Sequence, residues 1–171
     1  LFRSRQDGVE FLANHGVRLG GTYFDRAITI DRVMPLLGMR GTLRTWIGQG
    51  SSPIHPSIFN YMATWEKIPF LYTAQNRRLI EEMLTLAHEP DKLGRMASVL
   101  ENELGHELSF AVEQGKVAAN SGDADAVISL DLIERGLSAH LGTDDLGVIL
   151  DEYSKALNGG AAETMRLAGL Q

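Results

Sequence analysis

The sequence predicts an α+β fold, a helical unit carrying a long spine helix and a β-hairpin. Three observations carry that prediction. Between Pro90 and Asn120, apolar residues such as Leu93, Met96, Leu100, Leu104, Leu108 and Val112 recur at helical spacing. After Ser121-Gly122-Asp123 the period changes: Ala126, Ile128, Leu130 and Leu132 alternate with their neighbours, and Leu137, Ala139 and Leu141 alternate again beyond the turn Glu134-Arg135-Gly136. A helical stripe then returns with Leu146, Ile149, Leu150, Tyr153 and Leu157. At 171 residues the chain suits one domain rather than two.

Taken from the start, Val9, Phe11, Ala13, Val17 and Leu19 suggest strand over 9 to 19, turning at Asn14-His15-Gly16. Gly20-Gly21 closes it. Thr22 is a candidate N-cap for a helix over 22 to 37, whose apolar residues Phe24, Ala27, Ile28 and Val33 run to Pro35 and Gly38. From Met39 to Tyr72, glycines and prolines break the pattern, and only Ile58, Phe59, Met62 and Trp65 after Pro56 read as a short helix. Thr73 is the next N-cap, for a helix over 74 to 88. Pro90 then opens the spine, which as one helix to Asn120 would be roughly 45 Å long at 1.5 Å per residue. The hairpin spans Ala126 to Leu141. Thr143 caps a final helix with Asp144 and Asp145 in its first turn, and Gly159-Gly160 should break or bend it before Ala161 to Ala168 resume.

Composition excludes several functions. Lys and Arg number 16 against 22 Asp and Glu, a formal net charge of -6, and the cations are scattered, so no basic face for nucleic acid or anionic lipid is expected. No apolar run approaches the eighteen or so residues of a membrane span, so a soluble chain without a membrane partner is expected. The absence of cysteine removes disulfides and thiolate metal sites and suits a reducing cytoplasm. Leu1 is no initiator methionine and Gln171 follows closely on a helix, so the chain reads as an internal piece of a larger protein.

Few motifs carry chemistry. Gly20-Gly21-Thr22 lets backbone N–H groups approach a phosphate at a helix start, or is simply a tight turn. No Lys-Ser or Lys-Thr follows, which excludes a P-loop. Glu113, Lys116 and Asn120 share one helix face and form either a polar clamp or an exposed ion pair with a terminating amide. Glu103 and His106 match half of a di-metal carboxylate motif, but no second copy exists and no metal is expected. Ser, His and Asp form no nucleophile-elbow pattern, so no catalytic residue is assigned.

The segment from Gly16 to Asp25, Gly-Val-Arg-Leu-Gly-Gly-Thr-Tyr-Phe-Asp, resembles the glycine-pair, Phe-Asp signature after the second phosphate loop of the DnaK-type, seventy-kilodalton heat-shock protein family. Its continuation from Arg26 to Gly38, ending Val-Met-Pro-Leu-Leu-Gly, is especially similar to the YegD-like chaperones of bacteria. Val112 to Asn120, Val-Glu-Gln-Gly-Lys-Val-Ala-Ala-Asn, resembles the Glu-x-x-Lys helix end that contacts adenosine in that family. The resemblance implies most of lobe two of an actin-like ATPase fold. Residues 1–21 would edge the inner subdomain, 22–141 would form the mobile outer subdomain, and 142–171 would return to the inner one. By matched position Gly21 would approach phosphate, while Glu113, Lys116 and Asn120 would flank adenine and ribose. Tyr23 stands where the family usually has an acid, Val117 where a basic residue stacks on adenine, and Asn120 where a hydroxyl residue is usual, so weakened adenosine affinity is expected.

The expected function is therefore a part of the ATP-binding domain of a DnaK-like molecular chaperone. ATP or ADP with Mg would be its cofactor in the full-length protein, with none bound to this piece alone. A co-chaperone or exchange factor and unfolded clients would be its partners. The competing reading from the residues is a free-standing helical protein-interaction module in which Glu113 and Lys116 are ordinary surface.

Overall fold

Apolar residues spaced three and four apart dictate most of the architecture. The structure, a computed structural model, describes residues 1–5, 8–16, 20–45 and 50–170. Among these the chain is α+β with helices predominating, and its strands form three separate two-stranded antiparallel ladders.

Strands β1 (Phe2–Arg5) and β2 (Gly8–Phe11) pair from Phe2↔Phe11 to Arg5↔Gly8. The strand expected over 9 to 19 therefore stops at Phe11. Residues 12–16 are irregular, and 17–19 lie outside the described residues. The alternation misleads because its apolar side faces outward: Val9 is 71% and Phe11 60% exposed, and of that series Ala13 is buried.

Helix α1 (Gly21–Ile28) widens into a π segment (Thr29–Val33) and tightens into a 3-10 turn (Met34–Leu37), giving the continuous helical run expected to residue 37. Thr29 supplies a cause for the distortion, since its hydroxyl donates to the Asp25 carbonyl at 2.7 Å, a back-bond that bends helices. Gly38, at φ 104°, ends the run. The cap is not Thr22, which lies inside the first turn; extended Gly20 precedes the helix, and its carbonyl accepts from Tyr23 N at 3.0 Å.

Helix α2 (Ser57–Met62) follows Pro56 and buries Ile58, Phe59 and Met62, and a 3-10 segment (Trp65–Leu71) buries Ile68 and Leu71. Thr73 caps α3 (Ala74–Leu86), its hydroxyl accepting from Asn76 N at 3.2 Å. The helix ends two residues before the expected 88 because Ala87 bridges to Leu43 on β3 (Thr42–Arg44), which pairs with β4 (Ser51–Pro53).

The single spine helix does not form. Residues 90–120 divide into α4 (Pro90–Glu101) and α5 (Gly105–Asn120), and Glu103 between them takes φ 55°. The apolar stripe survives the break, which is why periodicity hides it: Leu93, Met96, Val99, Leu100, Leu108 and Val112 are all fully buried. Packing imposes the joint. A Cβ at Gly105 would sit 2.6 Å from Ile68 Cγ2 and 2.7 Å from the Tyr72 hydroxyl, so only glycine lets the 3-10 segment approach here. That hydroxyl donates to Glu103 O at 3.0 Å and accepts from Gly105 N at 2.9 Å, satisfying two backbone groups freed by the break.

The expected hairpin is present but shorter: β5 (Val127–Ser129) and β6 (Ser138–His140) pair through Ile128↔Ala139. It lies against α5, where a Cβ on Gly115 would meet Ile128 Cγ1 at 2.7 Å. Helix α6 (Thr143–Ile149) starts one residue before the expected cap allows, with Gly142 at the cap and the Asp145 carboxylate accepting from Gly142 N at 3.0 Å. Helix α7 (Asp151–Leu167) runs unbroken through Gly159-Gly160, correcting the expected break; the chain interrupts at Leu150 instead. Gly160 is the one residue of α7 that is buried. No helix of the described residues is long and apolar enough to cross a membrane.

Candidate functional site

Helix α1 packs against α5, bringing the two motif-bearing segments together. Their link is an ion pair: Lys116 Nζ lies 2.5 Å from Asp25 Oδ1 across 91 positions of sequence. The side chains keep 21% and 26% of their exposure, so solvent screens the pair only partly. Amphipathic geometry sets this up, because Leu108, Val112, Gly115 and Ala119 face the core and leave Lys116 on the flank toward α1.

The sequence-derived residues are placed as follows. Gly21 is exposed at the first position of α1, with open space where a Cβ would stand. Glu113 is exposed and borders a narrow indentation of about 50 Å³ shared with Thr22, Asp25, Arg26, Trp65 and Ser109. Asn120 is exposed at the end of α5, roughly 10 Å along the axis from Glu113 at 1.5 Å per residue. Thus Thr22, beside Gly21, borders the same indentation as Glu113, and Lys116 meets Asp25. Val117 is 57% exposed on the same helix. The indentation admits a few waters and is far too small for a purine.

Two residues near this crossing were not predicted as contacts. Asp25 appears in the sequence only as part of a signature, and no local pattern pairs it with a lysine so distant. Arg26 fixes α1 to α2 and its exit, with Nε donating to Thr64 Oγ1 at 3.3 Å and Nη2 to Asn60 Oδ1 at 3.2 Å. Beside them Trp65 meets His106 and Phe110 edge-on, with ring centroids 4.6 and 5.5 Å apart. His106 thus sits in an aromatic contact. Among the described residues no group of three or more His, Asp or Glu side chains is placed to hold a metal ion.

A second polar cluster joins three segments. Asp145 accepts from Gly142 N, lies 2.7 Å from His140 Nδ1, and accepts from Arg32 Nη2 at 2.8 Å. The Gly142 N–H, then His140 and Arg32, hold its carboxyl below the usual carboxylate range. Arg32 belongs to the π segment, His140 to β6 and Asp145 to α6, so this carboxylate ties the first helical run to the hairpin and its following helix. The sequence signals Asp145 only as a helix-dipole residue.

No protein-family model matches the chain, and no solved structure matches it.

Proposed function

We propose that the chain supplies the adenosine-side wall of a nucleotide cleft in a DnaK-type, actin-like chaperone ATPase, and with it the outer subdomain of lobe two. The observation carrying this reading is the Lys116–Asp25 pair, which joins the glycine-pair segment to the Glu-x-x-Lys helix end. Those are the two stretches on which the resemblance rests. Thr22 and Glu113 bordering one indentation adds to it. An indentation this small is one wall, and the phosphate loops and opposite adenosine loop would come from elsewhere in a longer protein.

In this role Gly21 faces phosphate, Glu113 accepts from ribose or adenine, and Asn120 lies further along the same wall. Lys116 is already held by Asp25, so it positions α5 on α1 and reaches nucleotide only by sharing its ammonium. ATP and Mg would bind the complete cleft, with clients, a co-chaperone or an exchange factor as partners of the whole chaperone and a cytoplasmic setting. Calorimetric titration provides the test. The chain alone should show neither ATPase activity nor tight stoichiometric ATP binding, and Lys116→Glu in the full-length protein should weaken ATP binding about tenfold or more. Tight binding by the isolated chain, or unchanged affinity in the full-length variant, contradicts the assignment.

A second reading, a helical protein-interaction module, is favoured by the apolar residues left open on α6 and α7: Val148 at 77%, Leu157 at 44% and Leu167 at 49% exposure.

A further inference from the structure

Next to the Thr22–Glu113 indentation a wider cleft of about 370 Å³ opens between the start of α1, α2 and the 3-10 segment. Three rings line it, Tyr23, Tyr61 and Trp65, each 40 to 47% exposed. Two cations line it as well. Arg26 spends two N–H groups on Thr64 and Asn60, leaving its Nη1 hydrogens without a protein acceptor among the described residues. Lys67 Nζ lies 4.6 Å from the centroid of the Tyr61 ring and has no carboxylate partner among the described residues. Glu66 is the one acid of the lining, so two cations face one anion in a chain of net charge -6.

We infer that this cleft binds a small anion carrying a planar ring, of the aryl phosphate or aryl carboxylate class. The anion takes donors from Arg26 Nη1 and Lys67 Nζ, and the ring lies against the exposed aromatic faces. Arg26 suits this because Asn60 and Thr64 already hold its guanidinium, so little side-chain entropy is lost when an anion arrives. Asn60 and Thr64 also distinguish the cleft from a plain apolar groove, since their polar atoms orient the cation toward it. This inference is independent of the adenosine reading.

The test is an amide and indole NMR titration of the chain with phenyl phosphate, with inorganic phosphate and phenol as half-ligand controls. Phenyl phosphate should give saturable shifts at Tyr23, Tyr61 and Trp65, with a Kd about tenfold below that of either control. Lys67→Gln lies on the surface and should weaken binding about tenfold while the spectrum stays folded. Arg26→Lys, which keeps the charge but loses the fork, should do the same. The inference is overturned by no saturable shift at the three aromatic residues, by Lys67→Gln binding phenyl phosphate as the parent does, or by phosphate alone binding as tightly as phenyl phosphate.

Discussion

Helices α5 and α7 are nearly equal in length, 16 and 17 residues, yet they live in different surroundings. Helix α5 buries Leu108, Val112, Gly115 and Ala119, carries the Lys116 tether to α1, and backs the β5–β6 hairpin. Helix α7 buries Gly160 alone; it packs on α6 and makes an edge-on contact between Tyr153 and Phe24 at 5.7 Å. Both sequences have an apolar stripe. The stripe makes a helix amphipathic, but burial depends on whether another element presents a matching face. Stability should therefore be concentrated around α5 and thin along α7.

Four experiments break or sharpen that contrast. The largest difference is expected from truncation in the two helices. Leu108→Ala removes a fully buried side chain and should lower unfolding free energy by about 2–5 kcal/mol, whereas Leu157→Ala, at 44% exposure, should change it by less than about 1 kcal/mol. Equal shifts in denaturant midpoint would erase the distinction. Next, Gly105→Ala forces a methyl against Ile68 and Tyr72 and should destabilise by about 1–3 kcal/mol, while Gly159→Ala in α7, where nothing lies within 4 Å, should stabilise by up to about 1 kcal/mol. A stabilising Gly105→Ala would contradict the close approach described at the α4–α5 joint.

A smaller effect belongs to the tether. Lys116→Met should cost roughly 1 kcal/mol, and the double variant with Asp25→Asn should cost less than the sum of the single ones, the coupling that a double-mutant cycle reads. Strict additivity would mean that the pair contributes nothing. The smallest effect is pH-dependent. Asp145 has a depressed folded pKa, so its contribution is present above the ordinary carboxylate range and lost as pH falls through the folded value. The acid limb of the stability profile should therefore be shallower in Asp145→Asn than in the parent.

Much of this was legible locally. The helical run to Leu37 is announced by Phe24, Ile28 and Val33 and stopped by Gly38, all within one stretch. Thr73 could be read as a cap because its acceptor role needs only Asn76, three residues on. The hairpin was legible because its turn and both alternating runs are contiguous. What stayed hidden depends on distant partners. Gly105 looks like any helical glycine until Ile68 and Tyr72 are seen against it, so the α4–α5 break left no mark in the apolar stripe. Gly159-Gly160 erred in the opposite direction, because a glycine pair weakens a helix by roughly 1 kcal/mol each without forcing it to stop. At the site, the face shared by Glu113, Lys116 and Asn120 followed from spacing, but Asp25 and Arg26 acquire roles only when α1 reaches α5 and α2.

The three ladders have a kinetic consequence. Each ladder joins two strands consecutive along the chain, and the widest connection, 130–137, spans eight residues. All three hairpins can therefore close early and independently, over loops whose entropy loss is small. The long-range search falls instead to the helical contacts, such as Arg32 to Asp145 across 113 positions and Asp25 to Lys116 across 91.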